Sequence, residues 1–154
     1  MNITKFLNKV YFTPRLKEIE LYTDHASELQ AGVMRRLVHM AANTEWGKQY
    51  GYASIRTYED FKTRLPIQTY EEVKPYVTRL RAGEQNLLWP SEIRWFAKSS
   101  GTTNDKSKFL PVSRESLHDT HYKGGRDAVA IYLGQNPESR FFSGKGLILG
   151  AVSY

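Results

Sequence analysis

At Trp89-Pro90 the spacing of the apolar residues changes, and that change limits what the chain can fold into. Before it, apolar positions recur every three or four residues, the mark of helices. After it they alternate or run together, as in strands. The sequence therefore predicts an α/β chain with α+β character at its N-terminal end. Residues 1–88 read as mainly helical, and residues 89–154 as strand, loop, strand, helix and strand.

In the first part Ile3, Phe6, Leu7, Val10 and Tyr11 share a helical face. After Pro14 and a polar stretch, Ser27 and Gln30 have capping-box spacing ahead of Leu29, Val33, Leu37, Met40 and Ala41. Asn43 and Gly47 are expected to end that helix. Thr57-Tyr-Glu-Asp and Thr69-Tyr-Glu-Glu each put a hydroxyl cap three residues before a carboxylate, so two more helices start there. A similarity four residues long is too short for a structural repeat. Pro66 closes the first of these helices. Pro75 predicts a break in the second, with a short continuation ended by Gly83.

In the second part, residues 93–98 and 108–112 read as short strands, and Ser113 caps a longer helix. Leu117, His121, Gly124, Ala128, Ile131 and Tyr132 form its predicted stripe, and Gly134, Asn136 and Pro137 its end. Residues 147–152 make a continuous apolar run, typical of a strand buried on both faces. Such a strand needs partners beyond it. The chain is therefore expected to be the beginning of a longer protein, with an exposed sheet edge through which it would self-associate.

Composition narrows the function classes. At 154 residues, 40% apolar and 13% aromatic, the chain is long and apolar enough for a globular core. It has no cysteine, which excludes disulfides, thiolate metal sites and a cysteine nucleophile, and fits a reducing cytoplasm, the expected location. Lys5 and Lys9 interrupt the N-terminal apolar stretch, so it does not read as a signal peptide, and no run reaches membrane-spanning length. That stretch is expected to pack on its own domain rather than on a membrane. A net charge of +6 favours anionic partners without choosing among them. Aromatic and basic residues interleave in KPYVTRLRAGEQ and EIRWFAKSS, yet acidic residues are spread among them, so no nucleic-acid partner is expected. His118 and His121 lie one helical turn apart without a third ligand, so no metal site is expected there.

Between the two strands, Ser99, Ser100, Gly101, Thr102 and Thr103 offer four hydroxyls, successive backbone amides and a glycine able to take positive φ. Lys98, Lys106 and Lys108 surround them with positive charge. This inventory suits an oxyanion with several acceptor oxygens, such as a triphosphate. It is not a Walker A element, because the second glycine and the Lys-Ser/Thr pair are missing. By residue chemistry alone it also suits a solvated turn.

The wider sequence separates these readings. The stretch SSGTTNDKSKFLPVS resembles the phosphate-binding loop of adenylate-forming enzymes. With TEWGKQYGYASIRTYEDFKTRLPIQTYEEVKPYVTRLRAGEQNLLWPSEIRWFAK before it, the region from about Glu45 to about Ser113 resembles the auxin-responsive Gretchen Hagen 3 family of acyl acid-amido synthetases, in a bacterial-looking version. The resemblance implies the N-terminal portion of an adenylate-forming enzyme's large domain. It implies ATP and Mg²⁺ as cofactors, and a carboxylic acid and an amino acid or other amine as substrates. Ser99, Ser100, Gly101, Thr102 and Thr103 would contact the phosphates, and Lys108 matches the basic residue that closes the motif. Asn104 and Asp105 depart from the commoner small residue and glycine. Both tolerate a left-handed turn, but a carboxylate beside phosphates must point away or help hold Mg²⁺. The competing reading is a non-catalytic module whose basic surface binds nucleic acid or another anionic partner. A glutamate-bearing Mg²⁺ motif and an adenine-stacking aromatic in the parent protein would decide for the enzyme.

Overall fold

The computed structural model describes residues 3–99 and 107–145. Ser100, Gly101, Thr102, Thr103, Asn104, Asp105 and Lys106, together with the strand expected over 147–152, lie outside the described residues. The described chain is mostly helical with one two-stranded sheet, and it divides into two compact units, residues 25–121 and residues 1–24 with 122–154. None of the described helices is long and apolar enough to cross a membrane.

In the unit of residues 25–121, helix α3 (Ala26–Ala41) has its N-cap at His25, two residues ahead of the expected Ser27. His25 makes no side-chain cap bond, so the Ser27–Gln30 box does not set this start. Helix α4 (Glu45–Gln49) follows, with Gly47 buried inside it rather than ending α3. The reason is space: a Cβ on Gly47 would lie 2.0 Å from the Ala41 carbonyl oxygen. Thr44 sits in that corner, its hydroxyl donating to Ala41 O at 2.7 Å and accepting from the Gly47 amide at 2.9 Å. The first amides of α4 donate to the Asn86 and Leu87 carbonyls, at 3.0 and 2.9 Å.

Helix α5 (Tyr58–Arg64) opens on the predicted box, with the Asp60 amide donating to the Thr57 hydroxyl at 3.1 Å and the Thr57 amide to the Asp60 carboxylate at 2.9 Å. Helix α6 (Tyr70–Arg81) likewise has the Glu72 carboxylate accepting from the Thr69 amide at 2.6 Å. Contrary to the expected break, α6 runs unbroken through Pro75. One ladder bond is lost there, but the helix is fixed at its start by Glu72 and anchored beyond the proline by buried Val77 and Leu80. It ends in a Schellman turn: Gly83 has φ 99°, its amide donates to Leu80, and the Glu84 amide donates to Arg79.

Two apolar clusters fill this unit. Val38, Ala41, Tyr52 and Ile55 gather Trp46, Phe61 and Leu65, while Leu80, Leu87 and Ile93 gather Tyr76, Leu88 and Phe96. Trp89 packs against both clusters. Strands β1 (Trp95–Lys98) and β2 (Phe109–Val112) pair antiparallel, with Trp95 opposite Val112 and Lys98 opposite Phe109. Ser113 then caps α7 (Arg114–Ser116), its hydroxyl accepting from the Ser116 amide at 3.0 Å.

In the other unit, helix α1 (Ile3–Leu7), a π turn (Asn8–Phe12) and helix α2 (Thr13–Asp24) run on without a break. Pro14 is the second residue after the π turn, where the hydrogen-bond ladder changes spacing. Helix α8 (Lys123–Gln135) packs Val129, Ala130 and Leu133 with Phe12, Leu7 and Ile19. The predicted stripe differs, since Ile131 and Tyr132 are exposed. A second π turn (Leu117–Tyr122) precedes α8, and its extra residue per turn shifts the phase of any face projected from α7. Gly134, expected to end α8, lies inside it against the Leu16 side chain.

Candidate functional site

Ser99 and Lys108 close the base of the hydroxyl-rich connection. The Ser99 amide donates to the Lys108 carbonyl at 2.9 Å, and the Lys108 amide donates to Ser99 Oγ at 3.0 Å. The strand pairing thus continues one step past Lys98–Phe109, with a side-chain oxygen in place of one carbonyl. Both ends of the segment 100–107 are held together, a hydroxyl on one side and a lysine on the other. Of the six predicted site residues the structure brings these two together; Ser100, Gly101, Thr102 and Thr103 lie outside the described residues.

Helix α6 braces the basic end. The Tyr70 hydroxyl accepts from the Phe109 amide at 3.0 Å and donates to the Phe109 carbonyl at 3.3 Å. The Arg81 guanidinium stacks 3.9 Å from the centre of the Phe109 ring, and Lys108 Nζ lies 5.6 Å from the centre of the Tyr70 ring. The first and last residues of α6 therefore bracket one residue of β2. Sequence reading missed both roles: Tyr70 registers only as the residue after a helix cap, and its partner is 39 positions away.

Below the hairpin, Glu115 takes two donors on one oxygen, Trp89 Nε1 at 3.0 Å and Ser91 Oγ at 2.7 Å. Burial pushes its carboxyl up, but the hydrogen bonds from Ser91, its own amide and Trp89 outweigh burial and hold it below the usual glutamate range. A pocket of about 270 Å³ lies here between Leu80, Leu88, Trp89, Ile93 and the β2–α7 turn at Pro111, Ser113 and Ser116. Among the described residues no group of three or more His, Asp or Glu is placed to hold a metal ion.

The GH3 family N-terminal domain matches residues 15–153, and the chain belongs to the GH3 family. It is 29% identical over 106 residues to a jasmonoyl–L-amino acid synthetase, JAR4, of Nicotiana attenuata, covering 68% of this chain and 18% of that protein. To the indole-3-acetic acid-amido synthetase GH3.6 of Arabidopsis thaliana it is 31% identical over 104 residues, covering 67% of this chain and 17% of that one. Its fold matches the solved GH3.15 acyl acid amido synthetase with a TM-score of 0.69 at 23% identity, over 78% of this chain and 22% of the other. The chain thus spans less than a fifth of the length of these curated relatives.

Proposed function

We propose that this chain is the N-terminal part of a cytoplasmic acyl acid-amido synthetase and supplies the loop that binds the phosphates of ATP. The observation that carries the proposal is the Ser99–Lys108 closure, which sets a hydroxyl and an ammonium-bearing residue at the two ends of the segment 100–107. Support comes also from the relatives, one named as a jasmonoyl–L-amino acid synthetase and the other as an acid-amido synthetase. In this reading the Ser99 hydroxyl, and the hydroxyls and amides of Ser100, Thr102 and Thr103, donate to phosphate oxygens, the Ser99 amide being engaged by the Lys108 carbonyl. Gly101 lets the backbone come close, and Lys108 offsets the charge of the outer phosphates.

The reaction has two steps. A carboxylate oxygen of the acid attacks the α-phosphorus of ATP and pyrophosphate leaves. An amine nitrogen then attacks the acyl carbonyl carbon, AMP leaves and the nitrogen loses a proton to solvent, giving the amide. Catalysis of the first step requires charge neutralisation on the phosphates and alignment of the carboxylate. The chain's loop serves the neutralisation. Mg²⁺, when bound, would shield the triphosphate charge; among the described residues no group of three or more His, Asp or Glu is placed to hold it.

Pyrophosphate exchange into ATP, with a panel of carboxylic acids, tests the proposal. A protein carrying this chain as its N-terminal segment should catalyse exchange, and the 154-residue chain alone should not. Exchange by the isolated chain would place the machinery elsewhere than proposed.

A further inference from the structure

We infer that Tyr70 is a positioning residue for the loop, fixing Phe109 and thereby holding Lys108 where its ammonium meets the outer phosphates of a nucleoside triphosphate. The inference rests on the phosphate-loop reading and goes beyond it by assigning a role to a residue outside the loop. In an antiparallel pair, residues alternate between facing the partner strand with their backbone groups and turning them outward. Ser99 and Lys108 face each other, so the neighbouring pair Lys98–Phe109 turns its amides and carbonyls outward. Among the described residues no third strand meets those outward groups.

The Tyr70 hydroxyl takes the place of that strand at one residue, accepting from the Phe109 amide and donating to its carbonyl. Arg81 clamps the same residue by its ring. Because Phe109 follows Lys108 directly, fixing Phe109 on both backbone groups fixes the direction in which the Lys108 side chain leaves the strand. The Tyr70 ring also lies beside the Lys108 ammonium, which keeps that charge near the phenol. Positioning of this kind acts on binding of the triphosphate and not on the later attack by the amine.

The test compares Tyr70→Phe, Lys108→Ala and the double variant in a full-length protein carrying this chain, for both half-reactions. Pyrophosphate exchange reports the ATP step. Amide formation from chemically supplied acyl-adenylate reports the second step and counts correctly folded active sites. Tyr70→Phe keeps the ring and removes both hydrogen bonds, so KM for ATP should rise about tenfold while the second half-reaction is unchanged. The double variant should be no worse than Lys108→Ala, since Tyr70 acts through that lysine. A merely structural Tyr70 would lower both half-reactions together and leave KM alone, which would overturn the inference. So would wild-type ATP kinetics in Tyr70→Phe alongside an impaired Lys108→Ala. Wild-type ATP kinetics in Lys108→Ala overturns the phosphate-loop reading itself, and the inference with it.

Discussion

Arg15 grips Asp127 side-on, Nε donating to Oδ1 at 2.6 Å and Nη2 to Oδ2 at 2.7 Å, with the Arg15 side chain only 5% exposed. Its remaining donors reach Glu18 at 2.5 Å and the Tyr22 hydroxyl at 3.1 Å. The pair ties α2 to α8 across 112 residues of sequence. Asp127→Asn removes the bidentate carboxylate and leaves a buried guanidinium with the more exposed Glu18 as its counter-charge, which should cost about 3 kcal/mol, the low end for a broken buried pair. Denaturant unfolding of the variant, with hydrogen exchange at α2 and α8 amides, measures it.

The same pair sets an acid limit. The Arg15 hydrogen bond holds the Asp127 carboxyl below its ordinary value of 3.8, outweighing the opposing effect of burial. A carboxylate with a depressed folded-state pKa stabilises the fold above its unfolded value, and that contribution fades as pH falls through the folded one. Melting temperature should therefore drop as pH is lowered from 4 toward 2. In Asp127→Asn this part of the drop should be missing.

Gly47 and Gly32 are both helical glycines with opposite expected responses to alanine. A Cβ on Gly47 meets the Ala41 carbonyl oxygen and carbon at 2.0 and 2.9 Å, backbone atoms that cannot turn aside. Gly47→Ala should destabilise by about 2–3 kcal/mol despite alanine's better helix propensity. Nothing lies within 4 Å of a Cβ on Gly32, so Gly32→Ala should stabilise by about 0.5–1 kcal/mol. Urea unfolding monitored by tryptophan fluorescence, with Trp46 next to Gly47, distinguishes the two.

Glu115 serves as a shared acceptor beneath the hairpin. Glu115→Ala strands the Trp89 indole N–H and the Ser91 hydroxyl and should cost about 1.5–3 kcal/mol, the range for hydrogen bonds to a charged group. Glu115→Gln keeps an acceptor oxygen and should lose less. Paired unfolding curves for the two variants check the order.

What the sequence made legible is local. The Thr57 and Thr69 starts, the Gly83 stop and the Ser113 cap depend on residues within five positions of one another, and each is found where its chemistry places it. The hairpin was legible because alternation and a small-residue break fall together. Its brace was not, because Tyr70 and Arg81 act on Phe109 through the tertiary fold. Arg15 reads as one more polar residue until α8 brings Asp127 to it. The inward face of α8 escaped for a different reason: a π turn changes the period from which the face is projected, and no residue type announces such a turn. Pro75 misled because the rule against interior proline weighs one lost bond without the cap and the buried residues on either side of it.

Binding of the ATP phosphates by the segment beginning at Ser99 is read out by kcat/KM for ATP in Ser100→Ala and Thr102→Ala of a full-length protein carrying this chain, with melting temperatures as the folding control. Each variant removes one hydrogen bond to a charged group, so a drop of roughly ten- to a hundredfold is predicted at unchanged melting temperature. Near-wild-type kcat/KM in both variants would mean that this segment does not bind the phosphates.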